Sequence, residues 1–484
     1  MSANASTDAS DLTPVKFSRL SRRGVLLGLS GLQLVMSGIA AGSLVLGLYV
    51  GAVIITFPLV GVCAALAFVT VGGRKLIEWG PVGIRWLWRS AGGQLTYRRR
   101  IVRPRPAGTL SLPGDAARLR QWLDPETGAV MVHDPHAATL TAVVGITHPA
   151  FVLLDPAEQE RRVVSWGRVL ATACRSGRIA SVQVMERTLP DSGKGLAQWW
   201  DTHGAHDATW TSTTYGELID RAGPAGERHA STISISLDMK VAGRAARAAG
   251  GGIKGAAAVL RQEMATLLAA LRSADLSPSE WLTPGDLAMV LRSAYDPAVA
   301  GALERHGELG RDLATAGPVS VAESWGSMRS DSAHHCVLWI SEWPRSLVFP
   351  GFLAPLLLSS GIRRTFTLLY TPMRTDRAAR DIRKKKTEYI SDAAQRQRIG
   401  QIEDAQQTAE YQDVLQQEAD ITAGHGVLRC TGLVAVSASD PDELERAVAA
   451  IEQAAIQASC ETRRLWGQQA QAFTVASLPL CRRV

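Results

Sequence analysis

Apolar and charged residues divide this 484-residue chain sharply. Between Arg23 and Arg74 there is no Asp, Glu, Lys or Arg, and the 50 residues Gly24–Gly73 are dominated by Leu, Val, Ile, Ala and Gly. As one helix they would run about 75 Å against a hydrocarbon core of about 30 Å, too long for one span and too short for three. The pattern predicts two spans, Gly24–Leu46 and Val50–Val71, reversing around Gly47, Leu48, Tyr49 and Gly51. Pro58 falls within the second span, where a kink is tolerated. Gly38, Ala41 and Gly42 in the first span and Gly61, Ala64 and Ala65 in the second would let the two backbones approach.

Beyond this hairpin the pattern changes to that of a water-soluble α+β region. Leu140–Thr147 and Ile179–Met185 read as strands, with a helix over Ala157–Arg175 between them. Ser231-Thr232-Ile233-Ser234-Ile235-Ser236-Leu237 alternates, as a half-buried strand does, and Leu260, Met264, Leu267, Leu268 and Leu271 mark one face of a helix over Gly255–Ala274. The last third repeats this logic. It has strands at Cys336–Glu342, Thr365–Tyr370 and Val427–Ser437, a helical stretch at Gly351–Ser360, a helix at Asp440–Ser459 capped by Asp440, and a closing element at Arg463–Ala476. The expected fold is a membrane α-helical hairpin followed by split β-α-β, ferredoxin-like sandwiches.

Thr375–Ala423 stands apart. It has no proline, one glycine (Gly400) and few apolar residues, so it is helical by propensity yet unable to build a core. A protruding helical hairpin turning near Gly400 is expected. Arg374–Arg398 carries nine basic and four acidic residues, Gln401–Asp420 six acidic and no basic ones, so the arms attract. The narrow apolar stripe of Tyr411, Val414, Leu415 and Ile421 is the expected partner contact. The resulting organisation is a cytoplasmic tail at 1–23, the transmembrane hairpin at 24–73 and an interfacial elbow with a basic linker at 74–106. A first α+β domain follows at 107–254. The second occupies 255–374 and 424–484, interrupted by the hairpin at 375–423.

Charge orients the hairpin. Lys16, Arg19, Arg22 and Arg23 precede it, and Arg74, Lys75, Arg85, Arg89 and the arginines from Arg98 to Arg105 follow it, so the positive-inside bias puts both ends in the cytoplasm. A twin-arginine export signal is the rival reading of Ser21-Arg22-Arg23-Gly24, but such a signal ends after one short apolar region. Leu76–Leu95 reads as an interfacial helix, with Trp79, Trp86 and Trp88 at headgroup level and Arg85 and Arg89 towards phosphates. Arg22, Arg23, Arg74 and Lys75 complete the expected membrane-interface set. Positions 1–106 hold 13 basic and three acidic residues, leaving 39 basic and 42 acidic beyond them, so the net +7 belongs to the juxtamembrane segment. That balance gives no reason to expect nucleic-acid binding by the soluble part. Six scattered cysteines without a CxxC pair fit free, buried thiols in a reducing compartment.

Signatures of chemistry are sparse. No GxxxxGK[ST] loop occurs, and Gly193-Lys194-Gly195 has Thr188 where the upstream glycine would stand. Gly250-Gly251-Gly252-Ile253-Lys254-Gly255 matches GxGxxG but follows an Ala/Arg segment, which makes it a hinge. His334-His335-Cys336, His133/His136 and His203/His206 lack a second ligand pair and read as surface or strand-end histidines. Trp199, Trp200 and Trp210 are expected in the core. No catalytic, cofactor or metal site is expected.

Three stretches carry a resemblance: Ser21-Arg22-Arg23-Gly24-Val25-Leu26-Leu27-Gly28-Leu29-Ser30, Met185-Glu186-Arg187-Thr188-Leu189-Pro190, and Ile340-Ser341-Glu342-Trp343-Pro344-Arg345. With Gln471-Ala472-Phe473-Thr474 and Leu478-Pro479-Leu480 they resemble an actinobacterial membrane-protein family of conjugative, type IV-like secretion loci. The hairpin is similar to the PrgI-like membrane component, and the soluble part to the non-motor N-terminal half of the secretion ATPase. The resemblance implies a non-enzymatic inner-membrane subunit, oligomeric, that binds membrane lipids and docks a separate secretion ATPase and sister membrane subunits. In that ATPase a Leu-Pro turn leads into the motor, whereas here the sequence ends at Val484. EccE of type VII secretion, another two-helix anchor with a cytoplasmic domain, is the architectural alternative, and a membrane-tethered enzyme of unknown chemistry the remaining one.

Overall fold

The computed structural model describes residues 17, 31–51, 53–72, 74–100, 102, 105–148, 151–205, 207, 209–222, 226–305, 311–399, 405–423 and 426–483. They form a mixed α/β protein with a large antiparallel sheet and apolar helices near the N-terminus. The chain divides into two compact units: Leu20–Leu95 with Trp466–Gln468, and Thr96–Leu465 with Gln469–Val484, to which Phe17 also belongs.

The smaller unit holds α1 (Gly31–Val50), α2 (Val53–Phe68), a two-residue ribbon of β1 (Thr70–Val71) and β2 (Arg74–Lys75), and α3 (Leu76–Ala91). The 20-residue α1 is long and apolar enough to cross a membrane, whereas α2 is apolar but has 16 residues. Residues 24–30 of the expected first span lie outside the described ones. The reversal also comes later than expected: α1 continues through Gly47 to Val50, and the turn falls at Gly51, whose φ of +73° suits glycine. Close packing does not use the expected glycines, since Gly38, Gly42 and Gly61 face open space. It occurs at Gly47, where an added Cβ would lie 2.0 Å from Thr56 Oγ1. Near the start of α1, buried Gln33 donates from Nε2 to Ala67 O (2.7 Å) and accepts from Lys75 Nζ (2.6 Å).

The larger unit is built on 13 strands among the described residues. Its first half comprises β3 (Thr96–Arg98), β4 (Arg120–Leu123), β5 (Val130–Asp134), β6 (Thr139–Thr147), α4 (Pro156–Arg175), β7 (Ile179–Pro190), α5 (Lys194–His203), α6 (Trp210–Ala222), β8 (Glu227–Asp238), α7 (Gly243–Ala248), α8 (Gly252–Ser273) and β9 (Ser277–Trp281). After α9 (Pro284–Tyr295) and α10 (Ala300–Arg305), the second half comprises β10 (Ser320–Glu323), β11 (Met328–Ser330), β12 (Ala333–Glu342), α11 (Ala354–Leu357), β13 (Arg363–Met373), α12 (Thr375–Ile399), α13 (Ala405–Thr422), β14 (Val427–Ala438), α14 (Pro441–Gln457), β15 (Glu461–Arg464) and α15 (Gln469–Ala476).

The two halves repeat one topology. Pairing gives β9-β6-β8-β7 in the first and β15-β12-β14-β13 in the second, all antiparallel, and β7 pairs with β13 to join them. Each half also inserts two helices between its second and third strands, α5–α6 and α12–α13. One face of the sheet packs α4 and α8 in the first half and α14 with α11 in the second. A third core on the opposite face gathers Leu287, Leu291 and Tyr295 of α9 with Ala472 and Phe473 of α15 against Val337, Leu369 and Leu433.

The strand Glu227–Asp238 departs from its expected half-exposed state. Ser234 and Ser236, on the polar side of the alternation, are buried. The end of α15 and the segment after it cover that side. Gln183 Nε2 donates to Val475 O and Leu478 O (both 3.0 Å), and its Oε1 accepts from Cys481 N (2.7 Å). Ser234 Oγ donates to Pro479 O (2.9 Å), and Thr367 Oγ1 to Ala476 O (2.6 Å). Side chains of β7, β8 and β13 thus satisfy a buried, irregular backbone that has no ladder of its own.

Candidate functional site

Three places concentrate the residues singled out in the sequence. The first is α3. Ile84, Leu87 and Trp88 are exposed at helical spacing, and Trp88 retains 78% of its surface. Trp79 and Trp86 are only partly exposed, and Trp79 Nε1 donates to Val71 O (3.0 Å). Arg85 is exposed, but Arg89 is buried and donates to Gly467 O of the same unit (3.3 Å), so it does not face phosphates. Lys75 is engaged by Gln33, β2 carries Arg74 in its backbone, and Arg22 and Arg23 lie outside the described residues.

The second is the pair α12 and α13. Ala378, Ile382 and Tyr389 of α12 are buried. Tyr389 stacks on Tyr411 of α13 with ring centroids 4.2 Å apart, and Lys386 Nζ meets Glu418 Oε2 at 2.8 Å. Tyr411 therefore holds the two arms together, while Val414, Leu415 and Ile421 are partly exposed. Residues 400–404, including Gly400, lie outside the described ones. The arms leave the sheet at Met373 and return at Val427, which are themselves a ladder pair.

The third place was legible only as a basic linker. A cleft of about 520 Å³ lies between β3 and the loop through Thr109 and Ser111 and is lined by Arg98, Arg99, Arg100 and Arg105. Arg99 donates to Ala314 O (3.2 Å) and Thr315 O (3.4 Å). Arg105 donates to Leu112 O (2.6 Å) and to Tyr97 Oη (3.2 Å), with its guanidinium 5.4 Å from the Tyr97 ring centroid. Among the described residues none of the four has a carboxylate partner.

The remaining candidates resolve differently. His335 is fully buried: Nε2 lies 2.7 Å from Ser330 Oγ and 3.1 Å from Tyr295 O, and Nδ1 lies 2.8 Å from Ser437 Oγ. Ser330 donates its own proton to Tyr295 O, so Nε2 carries hydrogen and Nδ1 accepts from Ser437. Burial, with a smaller push from His334, lowers its pKa to about 4. Cys336, Cys430 and Cys481 are pushed up to about 12 by burial, which leaves them as thiols. All six cysteines are free.

The Gly250–Gly252 run is an ordered turn into α8. Its three glycines have φ of +108°, +73° and +56°, and a Cβ at Gly255 would lie 2.0 Å from Ala246 O, so glycine serves conformation and close packing there. The expected core tryptophans lie on α5 and α6: Trp199 and Trp210 are exposed, and Trp200 packs on Tyr215 with centroids 4.9 Å apart. Among the described residues no three His, Cys, Asp or Glu side chains converge as metal ligands would. No protein-family model matches the chain, nor does any curated protein.

Proposed function

We propose that this chain is a non-enzymatic, multi-pass inner-membrane subunit of a conjugative, type IV-like secretion apparatus, which docks a separate ATPase and sister subunits on its cytoplasmic part. The observation that carries the reading is a contact across the hairpin in sequence. Phe17, which precedes α1, stacks on Trp343 of the sheet unit with centroids 5.2 Å apart and an interplanar angle of 15°, and lies 5.5 Å from the Phe352 ring. A chain that crosses the bilayer once on each of α1 and α2 brings its two flanks to one side, and this contact supports that reading. The exposed apolar surfaces of α1, α2 and α3 support membrane insertion with α3 at the interface.

The soluble part supports a platform. The strand orders β9-β6-β8-β7 and β15-β12-β14-β13 support a reading of its two halves as ferredoxin-like sandwiches, and the pairing of β7 with β13 joins them in one sheet. The α12–α13 arm extends from the end of one ladder and contributes few side chains to the three cores, so its apolar positions Val414, Leu415 and Ile421 are available to a partner.

Two measurements test this. Alkaline phosphatase fused at residue 15 or residue 110 should be inactive; activity at either junction contradicts the topology. Replacing Thr375–Ala423 by a short Gly/Ser linker should leave expression, insertion and melting temperature within a few degrees of wild type, because Met373 and Val427 remain a closable pair. The same deletion should abolish co-purification with the cognate ATPase. A folded deletion variant that still captures every partner would refute the docking role.

A further inference from the structure

The cleft beside β3 is built in a way that a solvated charge run is not. Four arginines line one concavity, and two of them, Arg99 and Arg105, are held by the neutral carbonyls of Ala314, Thr315 and Leu112. Carbonyl acceptors orient a cation without cancelling its charge. Tyr97 adds a ring against Arg105 and a phenol oxygen that accepts from it. Arg98 and Arg100, both exposed, bring two further cations that form no ion pair among the described residues. Mutual repulsion in such a cluster is relieved by an anion that accepts several N–H bonds at once, and tetrahedral phosphate oxygens match the planar, bidentate fork of arginine.

We propose that this cleft binds the phosphate of an anionic phospholipid headgroup. The source follows from chain order and rests on the membrane reading above. Only Gly92, Gly93, Gln94 and Leu95 separate the interfacial helix α3 from β3, a covalent tether of at most about 17 Å. Ser111 in the lining adds a further polar residue, whereas the Thr109 hydroxyl is already committed to Pro106 O (2.8 Å).

The test uses the full chain purified in a nonionic detergent, with short-chain phosphatidylglycerol as the probe and short-chain phosphatidylcholine and inorganic phosphate as comparators. Saturable retention of phosphatidylglycerol, counted by native mass spectrometry, should exceed that of phosphatidylcholine at least tenfold. Arg98→Gln combined with Arg100→Gln should reduce it about tenfold while leaving the melting temperature unchanged, since neither side chain has a partner to lose among the described residues. Arg99→Gln combined with Arg105→Gln should reduce it further. Arg168→Gln, an exposed position on α4, should leave it as in wild type.

Equal retention by the Arg98/Arg100 variant would overturn the proposal, and so would unfolding of that variant, because those side chains would then be holding the fold. Inorganic phosphate competing as well as the lipid would overturn the headgroup as the ligand. Because binding is read in detergent, a negative result leaves the fusion reporters of topology untouched, and failure of the reporters leaves the binding result standing.

Discussion

Replacing Gln183 by Leu is expected to destabilise the sheet unit by roughly 3 kcal/mol or more, because each buried backbone group left unpaired costs about 1–3 kcal/mol. Two such groups depend on this one side chain, the carbonyl of Val475 and the N–H of Cys481, while the carbonyl of Leu478, its third partner, also accepts from Leu480 N (2.8 Å). Leu has nearly the volume of Gln, so little of the loss would come from a cavity. Truncation after Ser477 should be more severe. It removes Leu478 and Leu480, each worth about 1.5–3 kcal/mol of burial, and uncovers Ser181, Gln183 and Ser234. Thr367→Val, which deletes one donor to Ala476 O, should cost about 1 kcal/mol and gives an internal scale. Thermal melts of the full chain in detergent, followed by tryptophan fluorescence, read all three. A Gln183→Leu melting temperature equal to that of wild type would sink the idea that this segment clasps the β7–β13 junction.

The same clasp explains where sequence reading stops. Alternation at Ser231–Leu237 identifies a strand and its apolar face, since Ile233, Ile235 and Leu237 pack against the helices of the first half. It cannot tell whether the hydroxyls of Ser234 and Ser236 meet water or a carbonyl, because both satisfy the same groups. The acceptor, Pro479 O, lies 245 residues away. The basic cleft was hidden for a like reason: the carbonyls that fix Arg99 lie more than 200 residues along the chain, so only a charge run was visible.

Short strands such as β4, β5, β10 and β11 carry three to five residues each, too few for a periodicity to stand out. Longer signals were legible. The charge-free stretch marked α1 and α2, and the strands from β6 to β8 and from β12 to β14 appeared within a few residues of their bounds. The absence of core-forming residues at 375–423 identified the α12–α13 pair. Asp440 was legible as a cap because its chemistry is local: its side chain accepts from the N–H groups of Asp442 and Glu443 at 2.9 Å.

Acid should weaken the sheet unit well before its carboxylates protonate, and His335 should account for much of the effect. Burial holds its folded-state pKa near 4, below the ordinary value of 6.5. A depressed pKa means that the unfolded chain takes up the proton first, so the stabilisation is complete above pH 6.5 and is lost as pH falls towards 4. The full interval corresponds to about 3 kcal/mol, and about 2 kcal/mol of it is lost by pH 5. Protonation would force a second hydrogen onto Nδ1, where Ser437 now donates, in a site closed by Phe473 with ring centroids 4.6 Å away. His133 is shifted the same way, chiefly by burial, but it is less enclosed and adds a smaller slope of the same sign. His335→Gln should therefore melt lower than wild type at pH 7.5, having lost one of the bonds to Ser330, Tyr295 or Ser437, yet show a flatter decline between pH 7 and 5. His133→Gln should flatten the decline only slightly. If wild type and His335→Gln lost stability in parallel over that range, the acid sensitivity would lie elsewhere, and the buried imidazole would be titrating near its ordinary value.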